Sequence, residues 1–115
     1  MGETIFSKII RKEIPADIVF ESENVLAFKD INPQAPVHIL IIPKIEIRRI
    51  SDLDMKKHGY LLTEIFDVAN KLAKDFQISE EGYRLVFNCG SNGGQEVEYL
   101  HLHLLGGRQM KWPPG

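Results

Sequence analysis

The sequence predicts an α+β fold, in which an antiparallel five-stranded sheet packs against one long helix and one short helix. Short apolar segments alternate with turn residues, and most links between them are too short for a helical crossover. One long segment carries apolar residues at helical spacing. The chain has 115 residues, of which 43% are hydrophobic and 26% charged, which is typical of one globular domain over residues 1–115.

The first half of the chain predicts a short helix followed by three strands. The apolar residues of segment 5–10 share one helical face, and the restriction that Pro15 places on its predecessor ends this helix. Strands are predicted at 18–20, 25–28 and 37–42. The third is apolar except for His38, so we expect a central strand that is buried on both faces.

The second half predicts the long helix and two more strands. Ser51-Asp-Leu-Asp54 resembles a capping box, with the Ser51 hydroxyl at the start and an acid three residues later. The apolar residues of the helix that it opens are Leu61, Leu62, Ile65, Ala69, Leu72, Ala73 and Phe76. Strands are predicted at 83–88 and 97–105, with a glycine-rich loop between them.

Composition excludes several classes of partner. A net charge of -2 argues against a bulk nucleic-acid binder, which would carry a basic excess. The longest apolar run, 37–43, is far shorter than a membrane span, and no apolar leader segment stands at the start. Cys89 is the single cysteine, so an intrachain disulfide is excluded. We therefore expect a cytoplasmic protein without membrane or nucleic-acid partners.

The last predicted strand carries the first candidate site. Because side chains alternate across a strand, Tyr99, His101 and His103 share one face, while the intervening leucines face a core. The two imidazoles would lie about 7 Å apart. His38 either reaches the same site from a neighbouring strand or is a hydrogen-bonded core histidine. His58 is predicted to lie on the surface.

The loop before this strand, Asn88 to Gln95, contains three glycines within five residues. Exposed backbone N–H groups in such a loop can form an anion nest. Beside two imidazoles, that nest suits nucleophilic attack on phosphorus. Three alternatives stay open on the residues alone: metal ligation by His38, His101 and His103, a half-exposed strand that uses histidine, and an ordinary glycine hairpin.

Segment 93–107 resembles the His-φ-His-φ-His-φ-φ signature of the histidine triad superfamily, where φ is apolar. It is most similar to the Hint branch, the histidine triad nucleotide-binding proteins. The other segments that carry the resemblance are 4–10, 28–31, 33–38, 42–44 and 107–115. The resemblance therefore spans almost the whole chain.

The resemblance implies a homodimer with one continuous sheet, and an enzyme that hydrolyses purine nucleoside phosphoramidates without a cofactor or metal. His101 would be the nucleophile that forms a nucleotidyl-histidine, and His103 would contact the leaving group. Asn88 and the backbone near Gly94 would hold phosphate oxygens. The implied nucleoside-binding residues are Asp30 at the ribose, Phe6, Ile9, Phe28 and Ile31 around the base, and Trp112 from the other subunit.

The chain departs from the signature at Tyr99, where the family usually has a supporting histidine near the equivalent of His38. The backbone carbonyl there, implied to orient the nucleophile, survives any substitution, so we expect an active enzyme with an altered rate. Glu96 stands beside the phosphate loop and its role is left open. The alternatives are a dimeric nucleotide sensor with little turnover, and a related chemistry such as dinucleoside polyphosphate hydrolysis.

Overall fold

The computed structural model describes residues 3–115 and contains a five-stranded antiparallel sheet with the strand order β1-β2-β3-β5-β4. The elements are α1 (Ile5–Ile10), β1 (Ile18–Glu21), β2 (Val25–Lys29), β3 (Val37–Pro43), a short 3-10 turn (Ile50–Asp52), α2 (Met55–Asp75), β4 (Tyr83–Phe87) and β5 (Leu102–Gly106). The predicted fold class, with one long helix and one short helix, is confirmed.

The sheet is covered on both faces. Helix α2 packs on one face, where its apolar stripe meets residues of β2, β3 and β5 such as Ile41 and Leu104. Helix α1 covers the other face, where Phe6 and Ile9 pack against Leu40 of β3. Two covers explain why β3 is apolar apart from His38, as the sequence indicated.

Both helices begin at side-chain caps. The Thr4 hydroxyl accepts a hydrogen bond from the backbone N–H of Ser7, and the Ser7 hydroxyl accepts one from the backbone N–H of Thr4. The predicted start of α2 at Ser51 is wrong. Residues 50–52 form a 3-10 turn instead, and the Asp54 carboxylate caps α2 by accepting from the N–H of Lys56.

The predicted last strand begins five residues too early, because β5 starts at Leu102 and not at Val97. The segment before it hydrogen-bonds mainly to the connection between β3 and α2. The N–H of Leu100 donates to the carbonyl of Ile47 at 2.7 Å, and the amide of Gln95 donates to the carbonyl of Arg48 at 2.8 Å. Residue 88, the predicted end of the preceding strand, also lies just outside β4.

Strand pairing places two histidines on the face that α1 covers. Antiparallel register sets His103 of β5 opposite Leu40 of β3, and His38 of β3 opposite Leu105. Because paired residues share a face, both imidazoles project beside Leu40 and α1. None of the described helices is long and apolar enough to cross a membrane.

The packing of α2 against the connection between β3 and α2 yields a stability prediction. Leu61 is buried against Ile47 and Leu100, so Leu61→Ala should lower the free energy of unfolding by about 2–5 kcal/mol. Met55→Ala changes an exposed residue of the same helix and should cost less than about 0.5 kcal/mol. Urea denaturation of both variants measures the difference, and equal losses would contradict the packing.

Candidate active site

A pocket of about 610 Å³ opens between α1, the β2–β3 connection and the glycine-rich loop. Most of the residues that the sequence singled out line it. They are Phe6, Ile9, Phe28, Asp30, Ile31, His38, Asn88, Gly94, His101 and His103. Tyr99 and Trp112 do not line this pocket. The fold therefore brings together the predicted imidazoles, the predicted loop and the predicted apolar wall.

His101 lies at the back of the pocket and is only 6% exposed. Its Nδ1 is 2.6 Å from the backbone carbonyl oxygen of Tyr99. A carbonyl only accepts, so Nδ1 carries the proton. In the neutral ring, Nε2 then holds a lone pair, which is the form required of a nucleophile. Phe6 packs edge-on against this imidazole, with ring centroids 5.1 Å apart.

His38 and His103 form a second hydrogen-bonded unit. The backbone N–H of Gln34 donates to Nδ1 of His38 at 3.0 Å, so neutral His38 carries its proton on Nε2. That nitrogen is 2.9 Å from Nδ1 of His103, which must accept. Neutral His103 therefore has its proton on Nε2. The rings of His101 and His103 lie 4.9 Å apart, closer than a regular strand would place them.

Burial keeps all three imidazoles neutral near pH 7. Desolvation lowers the pKa of His38 and of His101, against smaller opposing effects of Asp30 and of the Tyr99 carbonyl. Desolvation, and then the neighbouring imidazoles, lower the pKa of His103 to about 4. The pocket thus pairs a ring with a free lone pair, His101, with a ring that presents an N–H, His103.

The glycine-rich loop is shaped by close backbone packing. A Cβ on Gly93 would lie 2.4 Å from the carbonyl oxygen of Cys89, so only glycine fits there. Gly94 has a φ of +78°, which also favours glycine. Asn88 donates its amide to the carbonyl of Gly93 at 2.7 Å, and the N–H of Gly94 donates to Ser91 at 3.1 Å. The Gly94 amide that was expected to hold phosphate is thus already used within the loop.

The apolar wall and the acid adjoin the imidazoles. Phe6 and Phe28 are buried and pack edge-to-face with centroids 5.5 Å apart, whereas Ile31 is 91% exposed at the rim. The Asp30 carboxylate accepts from the N–H of Asn32 at 2.8 Å and lies 3.4 Å from Nε2 of His38.

Two predicted residues lie elsewhere. Tyr99 stands where the family usually has a histidine that supports the site, but its hydroxyl donates to the carbonyl of Pro43 at 2.7 Å and lies 3.2 Å from that of Ile45. The reason is that the segment before β5 turns onto the connection after β3. Trp112 is 83% exposed in the C-terminal tail.

Sequence reasoning missed the backbone of Gln34, which sets the proton on His38. No sequence signal identifies it, because any residue except proline supplies the same N–H. Glu96, whose role was left open, lines the pocket on the loop side. The surface position predicted for His58 is met in part, because it is half-buried and its Nδ1 accepts from the N–H of Asp54 at 3.0 Å.

Comparison with known proteins gives the family of this chain. Residues 11–110 match the HIT domain family. This chain belongs to the HIT family. The match includes β1 to β5 and the imidazoles of the pocket, while α1 and Trp112 lie outside it.

Its relatives within the HIT family match nearly end to end. The chain is 54% identical over 108 residues to the purine nucleoside phosphoramidase of Escherichia coli K12, covering 94% of this chain and 90% of that protein. It is 53% identical over 117 residues to the 14 kDa zinc-binding protein of Zea mays, covering 97% and 88%. The crystal structure of a HIT family hydrolase from Legionella pneumophila Philadelphia 1 has a TM-score of 0.95 at 57% identity, covering 98% and 100%.

The name of the maize relative raises the question whether this HIT pocket fits a metal. Asp30, His38 and His103 offer ligand atoms within 4.8 Å of one another. Nδ1 of His38, however, accepts from the N–H of Gln34, so its proton sits on Nε2, the nitrogen that faces the other two groups. A zinc ligand needs a lone pair there. The donor set of these residues therefore does not fit a metal.

The pKa of about 4 for His103 yields a pH prediction. The folded-state pKa lies below the ordinary value of 6.5, so between these values the unfolded chain binds a proton that the native chain does not. Stability should therefore fall as the pH drops from about 6.5 to about 4. His103→Gln should flatten that dependence. Histidine-resolved NMR titration measures the folded pKa, and a value near 6.5 would contradict the prediction.

Proposed function

We propose that this chain is a hydrolase of purine nucleoside 5′-phosphoramidates that acts through a covalent nucleotidyl-histidine on His101. The observation that carries the proposal is the pair of opposite tautomers in one pocket. His101 holds a lone pair on Nε2 because its one ring proton lies on Nδ1 and is donated to the Tyr99 carbonyl, and His103 holds an N–H on Nε2 because His38 donates to its Nδ1. The relative from Escherichia coli, named a purine nucleoside phosphoramidase, supports the substrate class.

The first step forms a bond between Nε2 of His101 and the α-phosphorus and breaks the bond from phosphorus to nitrogen. The electron pair stays on the departing nitrogen, which takes up one proton from solvent. The N–H of His103 would donate a hydrogen bond to that nitrogen. The imidazole of His101 becomes a cation, and the Tyr99 carbonyl, 2.6 Å from its Nδ1, stabilises that charge.

The second step is hydrolysis of the nucleotidyl-histidine. A water oxygen bonds to phosphorus, the bond to Nε2 breaks, and its electron pair returns to His101. One proton is released to solvent, which balances the proton taken up earlier. His103 serves both steps by donating to the group that carries the developing negative charge.

The rest of the pocket supports a nucleoside monophosphate. The base would lie against Phe6, Ile9, Phe28 and Ile31, and the Asp30 carboxylate would accept from the ribose hydroxyls. The phosphate would lie near the Asn88 amide, which has a second N–H to donate. Main-chain donors would come from the loop around Gly94, although the Gly94 amide itself is used by Ser91.

The proposal includes a homodimer joined along β4. This strand is an edge of the sheet, so its outer backbone groups are free to pair with a second copy. Arg84 of β4 donates to the carbonyl of Lys111 at 2.9 Å, which holds the tail beside that edge. Trp112 would then reach the other subunit's pocket and cover it.

Intact-protein mass spectrometry tests the reaction. After rapid mixing with an AMP phosphoramidate, the protein should carry one AMP group, and His101→Ala should carry none. His103→Ala should lower kcat/KM roughly 10²–10³-fold because the hydrogen-bond donor beside the developing charge is lost. His58→Ala changes a histidine on α2, outside the pocket, and is the control. Tight AMP binding without an adduct or turnover would indicate a nucleotide sensor and would refute the proposal.

The tail is tested separately. Trp112→Ala should raise KM roughly tenfold, equivalent to about 1.4 kcal/mol, with little change in kcat, because the residue covers bound nucleotide and touches no reacting atom. Lys111→Ala removes the neighbouring exposed side chain and should leave KM unchanged. Sedimentation measures the dimer in each case. A monomeric wild type with full activity would contradict the role of the tail.

A further inference from the structure

We propose that the Tyr99 side chain is a positioning residue for His101, which it serves by anchoring the main-chain segment that holds the nucleophile's Nδ1 proton. This inference rests on the proposed role of His101 as nucleophile. It concerns the side chain of Tyr99, whereas the carbonyl of the same residue makes the contact with His101.

The carbonyl of Tyr99 lies outside the sheet. Strand β5 begins at Leu102, so no ladder of strand hydrogen bonds fixes residues 97–101. A carbonyl in an irregular segment points in a defined direction only if other contacts hold that segment in place. At a separation of 2.6 Å, a small rotation of this peptide would lose the bond to His101.

The hydroxyl of Tyr99 is anchored at the end of the central strand. It donates to the carbonyl of Pro43, the last residue of β3, at 2.7 Å, and lies 3.2 Å from the carbonyl of Ile45. The phenol therefore spans from the segment before β5 to the end of the central strand. Tyr99 is 1% exposed, and its bond to Pro43 is buried, which strengthens that hydrogen bond.

The side chains of Tyr99 and His101 share one packing partner, Phe6. Phe6 meets the Tyr99 ring with centroids 6.1 Å apart and the His101 ring at 5.1 Å. Both contacts are edge-to-face. A shift of the phenol would therefore reach the imidazole through Phe6 as well as through the main chain.

Other contacts hold the same segment, and one of them holds the same peptide, because the N–H of Leu100 belongs to the planar unit that carries the Tyr99 carbonyl. Arg49 pairs with Glu98 at 3.0 Å on the half-exposed side, and the N–H of Leu100 donates to the carbonyl of Ile47. Among the described residues, the hydroxyl is the side-chain anchor that belongs to Tyr99 itself. The fold thus uses a phenol where the family signature has an imidazole.

The test removes only the hydroxyl, in Tyr99→Phe. We expect kcat for an AMP phosphoramidate to fall roughly tenfold to hundredfold while KM changes less than about twofold, because the ring and pocket remain and the nucleophile is misoriented. Tyr83→Phe removes a hydroxyl that donates to Asn70 at 2.8 Å and is the matched control. An unchanged kcat in Tyr99→Phe would overturn the proposal.

A spectroscopic readout separates positioning from general stability. In ¹⁵N NMR, His101 of the wild type should be protonated at Nδ1, and Tyr99→Phe should show a mixture of both tautomers. Tyr83→Phe should keep the wild-type spectrum even if its unfolding temperature falls equally. A wild-type tautomer in Tyr99→Phe would overturn the proposal whatever its activity.

A measurement on the wild type covers the case in which Tyr99→Phe does not fold. The Tyr99 hydroxyl proton and the His101 Nδ1 proton should exchange with solvent at the same rate, because opening the first bond releases the second. Independent exchange would refute the anchor. Tyr99→His distinguishes the two proposals: an inactive wild type revived by histidine would refute the native hydrolase activity, while the NMR results still decide the anchor.

Discussion

The hydrogen bond between Nδ1 of His101 and the carbonyl of Tyr99 is the interaction on which the chemistry of the pocket depends. It fixes the position of one proton, and so leaves a lone pair on the nitrogen at the other end of the ring. The N–H of Gln34 donates to Nδ1 of His38 and so places the proton of that ring on Nε2. His38 in turn donates to Nδ1 of His103, whose proton therefore also lies on Nε2. Two main-chain groups, one acceptor and one donor, thereby give neighbouring imidazoles opposite chemical characters.

The architecture supplies the conditions under which these bonds matter. Because α1 and α2 cover opposite faces of the sheet, packed apolar side chains lie behind the imidazoles. Burial lowers their pKa values, and neutral rings keep the tautomers that the backbone assigns. The charge of the Asp30 carboxylate raises the pKa of His38 and so partly offsets the effect of burial. The net pKa shift is still downward, so His38 does not hold a second proton.

The sequence predicted the fold class and the buried central strand, because both depend on side-chain pattern. Periodicity places Phe6 on the apolar face of α1 and His38 in the buried strand β3, whereas most of the pocket residues, Phe28 among them, were implied by the family resemblance. The predicted start of the last strand at Val97 is wrong. Apolar and polar residues alternate from there, but the backbone before Leu102 hydrogen-bonds to the connection after β3. The sequence pattern also fails at Ser51, because Asp54 competes for the same cap, and at Tyr99, whose hydroxyl seeks carbonyls that only the folded chain brings near.

Helix α1 has six residues, too few to be stable alone, and it stays folded through the burial of Phe6 and Ile9 against the sheet. The same Phe6 lines the pocket. Docking of the N-terminal segment and occupancy of the cleft are therefore linked equilibria. Molecules in which that segment is undocked lack one wall of the cleft, so the apparent affinity for a nucleoside falls in proportion to their fraction. A bound nucleoside would in turn protect α1 from proteolysis.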